Sequence, residues 1–193
     1  MPKHLGPGKN DEWRTPKSIF DALELVFDLD PCWPLDGPCF VPARGRYNVH
    51  DDGLCQPWRG LVWLNPPFGG RRGHVPWLKK FFAHGNGIAL VNALTSADWF
   101  HAVVAPNAQL LCFPNGKTKF IRPDGSVGSE PANGIILIGA GDVANAALLA
   151  SRLGACMQIL EQPRHPRLTG ASYGFIRPLA KFCANHLVSP IGD

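Results

Sequence analysis

The 193-residue chain reads as an α/β protein with a mostly parallel sheet and helices on both faces. Short continuous apolar runs, GLVWLN from residue 60, GIALVN from 87 and GIILIGAG from 134, have the pattern of strands buried on both sides. Between such runs lie stretches with apolar residues at helical spacing. Alternation of strand and helix from residue 60 onward is the pattern of parallel crossover units.

The elements follow in order. After a Gly/Pro/Lys-rich arm over 1–10, Ile19, Phe20, Leu23, Val26 and Phe27 fall at helical spacing, with Thr15 placed as a cap and Pro16 suited to a first turn, so a helix over about 16–26 is expected. FDLD at 27–30 is a short strand that Pro31 breaks. Residues 32–60 are rich in Pro, Gly and Cys and read as loop, with very short strands near 39–41 and 47–50. GLVWLN is a strand that stops at Asn65, and HVPWLKKFFAHG a helix that Gly85 ends. GIALVNAL is the next strand; SADWFHAVVAP opens on Ser96 as a helix cap and closes before Pro106. AQLLCF is a strand, and TKFIRPDGSVGSEPANGIILIGAG reads as strand, glycine-rich loop and strand. GDVANAALLASRLG is a helix, with the strand CMQIL after it.

The length suits one cored domain over 1–193, with the arm at 1–10 and a basic C-terminal tail over 162–193. No apolar run approaches the roughly 18 residues of a membrane span, and MPKHLGPGKNDEW lacks a signal peptide's apolar core, so a cytoplasmic protein is expected. Cys32, Cys39, Cys55, Cys112, Cys156 and Cys183 form no CxxC pair. Reduced thiols are expected, and no metal site. The net charge of +4 is mild, but basic residues cluster at Arg71–Arg72, at Lys79–Lys80, at Lys117, Lys119 and Arg122, and from Arg164 to Lys181. Such clusters suit a phosphate backbone.

The chemistry concentrates where GLVWLN ends in Asn65, Pro66, Pro67 and Phe68. In an open α/β sheet, ligands sit beyond the carboxyl ends of strands. Successive prolines stiffen this corner and bias Asn65 to an extended backbone. Prolyl nitrogens donate no hydrogen bond, so the corner is weighted toward acceptors: the Asn65 side-chain oxygen and the Pro66 carbonyl. Two fixed acceptors and a ring suit a flat base with an exocyclic amino group. Accepting both N–H hydrogens out of plane favours a tetrahedral nitrogen and frees its lone pair for in-line attack on a methyl sulfonium. The Phe68 ring suits stacking on the base.

NPPF at 65–68 resembles the catalytic motif of S-adenosyl-L-methionine-dependent DNA amino-methyltransferases. DEWRTP at 11–16, FDLDPC at 27–32, DDGL at 51–54, WLKK at 77–80, ALVNALTSADWF at 89–100 and GKTKF at 116–120 resemble one branch in order, the phage-type DNA adenine methyltransferases related to Dam. The resemblance implies a Rossmann-like class I methyltransferase core that transfers methyl to the N6 amine of a flipped adenine in double-stranded DNA. It also implies a bacterial host cell as the location. By position, Thr15 and Pro16 match the segment near the methionine end of the cofactor, Asp30 and Pro31 the motif that takes its ammonium, and Asp52, with Asp51 a near rival, the acceptor for its adenine amine. Asn65, Pro66, Pro67 and Phe68 match the target-base corner, and Phe120 a second face of the adenine pocket. Arg71, Arg72, Lys117 and Lys119 are candidate DNA contacts. Two departures stand out: PCWPLDGP replaces a glycine-rich loop after Asp30, and Asp36 is the sole carboxylate between 33 and 50 where a ribose acceptor belongs. The alternatives are an RNA, cytosine-N4 or protein-glutamine amino-methyltransferase, or an inactive nucleic-acid-binding module on the same fold.

Overall fold

A computed structural model describes residues 13–67 and 73–160. Among them are seven strands: β1 Phe27–Asp30, β2 Ala43–Arg46, β3 Val62–Leu64, β4 Gly87–Asn92, β5 Leu110–Pro114, β6 Ile135–Ala140 and β7 Gly154–Gln158. Three α-helices accompany them, α1 Lys17–Leu23, α2 Val75–His84 and α3 Asp142–Ala150, with a π-helical turn at Phe100–Val104. One sheet holds all seven strands in the order β2-β1-β3-β4-β6-β5-β7.

The apolar runs become strands buried on both sides, and alternate residues feed two cores. On one face Phe27, Trp63, Ile88, Leu90 and Leu137 pack with Phe20 and Leu23 of α1 and Leu148 of α3. On the other, Val62, Leu64, Val91, Ile136 and Ile138 pack with Leu78 and Phe81 of α2 and Val104 of the π turn. Helices therefore cover both faces, as expected.

The sheet is mixed rather than mostly parallel. The β1–β2, β1–β3 and β3–β4 ladders are parallel, but β4–β6, β5–β6 and β5–β7 are antiparallel, and β4–β6 is the longest. The cause lies in residues 115–134. A parallel return needs a crossover, usually helical; this Gly/Pro-rich stretch forms turns instead, and β6 comes back antiparallel between β4 and β5.

Several boundaries also differ. Helix α1 is shorter than expected because Glu24 adopts a left-handed conformation (φ 51°) and returns its N–H to the Phe20 carbonyl. Residues 39–41 and 47–50 are not strands; β2 forms between them, from the polar ARGR. Ser96 caps no helix. The chain winds into a π turn closed by the Ala105 N–H on the Phe100 carbonyl at 2.8 Å, and this wider turn buries Phe100, Val103 and Val104 together. No strand forms at 118–122, where Ile121 makes only isolated bridges to Arg14 and Val127.

From β1 the chain moves to β2 on one side and then returns to β3 on the other. The strand order reverses at that point, and a crevice opens beyond the carboxyl ends of β1 and β3. The buried face of α3 permits a stability test. Leu148→Ala, at a residue with no exposed surface, is expected to cost about 2–5 kcal/mol in urea denaturation, whereas Leu149→Ala, at 61% exposure, is expected to change it by under about 0.5 kcal/mol.

Candidate active site

A cavity of about 390 Å³ occupies this crevice, a volume suited to a small-molecule ligand. Asp30 and Pro31 enter it from the end of β1, and Asn65, Pro66 and Pro67 from the end of β3. Thr15 reaches it from the segment before α1, and Asp52 from the turn after β2. Trp13, Trp33, Asn48 and Gly53, none of them a site candidate from the sequence, also line the wall, as does Trp77, whose type and place suggest a core residue. Trp13 was within reach, lying inside DEWRTP two residues before Thr15.

The Asn65 amide is oriented by its neighbours. Its Nδ2 donates to the Trp13 carbonyl and to the Thr15 hydroxyl oxygen, both at 3.4 Å. A backbone carbonyl only accepts, so the nitrogen must face it and the oxygen takes the opposite side. That Oδ1 is buried and has no hydrogen-bond partner among the described residues. An unpaired buried acceptor costs about 1–3 kcal/mol, a cost that a ligand's N–H would relieve. Thr15 is buried, and its hydroxyl serves Asn65 rather than capping α1, whose N-cap position falls on Pro16.

Asp30 is 3% exposed, and its carboxylate accepts the Cys32 N–H at 2.8 Å. No cation pairs with it among the described residues. Burial raises its pKa from 3.8 to about 7, and the Cys32 N–H opposes that shift only in part. A buried carboxylate on a cavity wall without a cation fits a ligand's ammonium group. Burial likewise raises the neighbouring thiols, Cys32 well above the ordinary range and Cys39 to about 11. Cys32, Cys39, Cys112 and Cys156 are free thiols, and among the described residues no group of three or more His, Cys, Asp or Glu side chains is placed to hold a metal ion.

The loops around the cavity are pinned. In PCWPLDGP, the Trp33 N–H donates to the Tyr47 carbonyl at 2.8 Å, and the Arg46 guanidinium lies 5.0 Å from the centre of the Trp33 ring. Gly37 (φ 75°) meets the Pro123 carbonyl so closely that a Cβ would fall 2.3 Å from its oxygen. Asp36 offers its backbone carbonyl to Arg14 and does not line the cavity. Asp51 and Asp52 part company: the Asp51 carboxylate accepts the Asn48 N–H at 2.8 Å, while Asp52 lines the cavity.

The other candidates lie elsewhere. Phe120 packs, partly buried, against the core under α1 and α3 and does not line the cavity. Lys117 and Lys119 are exposed in the 115–134 loop, and Lys119 faces Glu130 at 4.0 Å. That loop is tied to the cavity rim by paired backbone bonds between Arg14 and Ile121, each 2.9 Å. Pro16 adjoins the rim without lining it. Phe68, Arg71, Arg72 and the basic tail lie outside the described residues.

A family model described as DNA N-6-adenine-methyltransferase (Dam) matches residues 3–139, more than half of the chain. None of the curated proteins or solved structures compared matches it.

The raised pKa of Asp30 has a thermodynamic consequence. Between pH 3.8 and about 7 the folded chain holds a proton that the unfolded chain has released, so this group's contribution to stability is full below that window and lost as pH rises through it. In the ligand-free protein, Asp30→Asn is expected to be more stable than wild type at pH 8, with the difference shrinking toward pH 4. Chemical denaturation across that range measures it, and parallel pH profiles for the two proteins would refute the buried, raised carboxyl.

Proposed function

We propose, from the premise that this chain belongs to the DNA N-6-adenine-methyltransferase (Dam) family, that it methylates the N6 amine of adenine in double-stranded DNA, with S-adenosyl-L-methionine as donor. The observation that carries the reading is the buried, unpaired Oδ1 of Asn65 on the cavity wall beside Pro66. An acceptor with nothing to accept from, fixed by Thr15 and Trp13, is suited to an amine N–H. The bound cofactor supplies an electrophilic methyl group.

The chain's own residues do the rest. Asn65 and the Pro66 carbonyl accept the two hydrogens of the adenine amine and hold its nitrogen in a geometry that exposes the lone pair. An amide suffices because the amine loses its proton only after attack. Asp30 takes the cofactor's ammonium and is held ionised by it, and Asp52 accepts from the cofactor's adenine amine. Thr15 keeps Asn65 in register. The seven-stranded α/β sheet, with its order reversing between β1 and β3, supports a Rossmann-like class I arrangement of these parts. The 193 residues form a single methyltransferase domain in this reading.

A base paired inside a duplex does not reach such a cavity, so the adenine is flipped out, with Phe68 stacking on it. Lys117 and Lys119, on the loop tied to the cavity rim, meet phosphates, together with Arg71 and Arg72. Arg122 is committed within that loop instead: its guanidinium donates to Ser126 Oγ at 3.1 Å and the Val127 carbonyl at 2.9 Å, and lies 5.9 Å from the centre of the Trp13 ring.

Transfer of labelled methyl to duplex DNA, with the product nucleoside identified, tests the activity. N6-methyladenine is expected; label confined to cytosine, RNA or protein would overturn the reading. Asn65→Ala is expected to lower turnover on the order of 10²-fold or more while S-adenosyl-L-homocysteine still binds by calorimetry. Wild-type turnover in that variant would sink the role assigned to Asn65.

A further inference from the structure

Lys80 has the form of a solvated helix lysine in the sequence, beside exposed Lys79, but its ammonium is fully engaged. Its Nζ donates to three backbone carbonyls of one turn, Gly53 at 3.2 Å, Leu54 at 2.7 Å and Gln56 at 2.5 Å. Three donors meet three acceptors, which leaves none for a phosphate. The same ammonium lies 5.0 Å from the centre of the Trp58 ring, whose Nε1 donates to the Gly53 carbonyl at 2.8 Å.

The turn is gripped from its other side as well. A Cβ on Gly53 would fall 2.2 Å from the Pro31 carbonyl oxygen, so the turn lies directly against the residue that follows Asp30. Asp52 immediately precedes Gly53 and takes a left-handed conformation (φ 53°), uncommon for a residue with a Cβ though better tolerated by Asp than by most. Its carbonyl accepts the N–H groups of Cys55 at 2.8 Å and Gln56 at 3.2 Å, which closes the turn.

We propose that Lys80 is a positioning residue: by gathering the 53–56 carbonyls onto its ammonium, it holds Asp52 on the cavity wall where the cofactor's adenine amine is read. This rests on the cofactor reading given above. Burial lowers the Lys80 pKa and the nearby Asp52 charge opposes that shift, consistent with an ammonium drawn out of water beside the residue it places. Lys80 does not line the cavity, so its loss is expected to act on cofactor affinity rather than on the chemical step.

The test uses the full chain with Lys80→Met. The Kd for S-adenosyl-L-homocysteine is expected to rise about tenfold by calorimetry, with the cofactor KM rising in parallel and kcat at saturation largely kept. Hydrogen exchange of the 51–56 amides is expected to accelerate while β3 and β4 stay protected, which separates loss of the clamp from general unfolding. Lys80→Ala with added propylammonium is expected to recover affinity, since a free ammonium can refill the carbonyl site. Lys79→Met is expected to leave cofactor affinity unchanged. Wild-type affinity in Lys80→Met, or unaltered exchange at 51–56, would overturn the inference. Absence of S-adenosyl-L-homocysteine binding by the wild-type chain would instead overturn the cofactor reading and the role of Asp52 with it.

Discussion

Asp28 joins three strands, and the placing of the cavity depends on it. Its carboxylate accepts the Leu61 N–H at 2.8 Å and an Arg44 guanidinium N–H at 2.6 Å, linking β1 to β3 on one side and to β2 on the other. Those contacts hold the carboxyl below the ordinary carboxylate range, the Leu61 N–H first among them. The β1–β3 ladder is otherwise short, with Leu29 opposite Val62. Gly60 (φ 65°) makes room for the carboxylate, since a Cβ there would fall 2.2 Å from its Oδ2. A slip of one residue would turn Trp63 from one core to the other and carry Asn65 away from the cavity. The register that Asp28 secures is what brings Asp30 and Asn65 to the same cavity.

The elements legible in the sequence were those whose burial leaves a chemical trace. β4 and β6 are apolar on both faces because helices cover both, and α2 ends at Gly85, whose left-handed φ of 74° the sequence signals directly. Other elements draw their structure from contacts distant in sequence. The polar strand β2 exists because β1 offers it an edge, and the π turn because Phe100, Val103 and Val104 all find core. The direction of β6 depends on the absence of a helix in 115–134, which the alternation of apolar runs does not report.

The site divides in the same way. The corner at Asn65 stands out through local chemistry, a strand end and a proline pair, whereas Asp30 is marked only by the family resemblance; both line the cavity. Thr15 was read as a cap because a threonine before proline and an apolar helix is usually one; its hydroxyl is turned the other way by an amide fifty residues downstream. Phe120 follows a motif-like lysine segment, yet its ring packs on core. Lysine in a helix carries no sign of whether its ammonium meets water or three carbonyls, so Lys80 was invisible until the fold brought residues 53–56 over it.

The two thiols in the cavity wall bear on its chemical inertness. Sulfur is the softest nucleophile a protein offers, and only the thiolate attacks. Burial, with the Asp30 charge adding to it, keeps the Cys32 proton in place, and Cys39 follows with its pKa raised to about 11. The wall facing any electrophilic occupant is therefore lined with sulfur that stays silent at neutral pH. On the cofactor reading proposed above, a chamber for an alkylating agent must not alkylate itself, and the low polarity that buries a carboxylate would also keep its neighbours from competing for the transferred group.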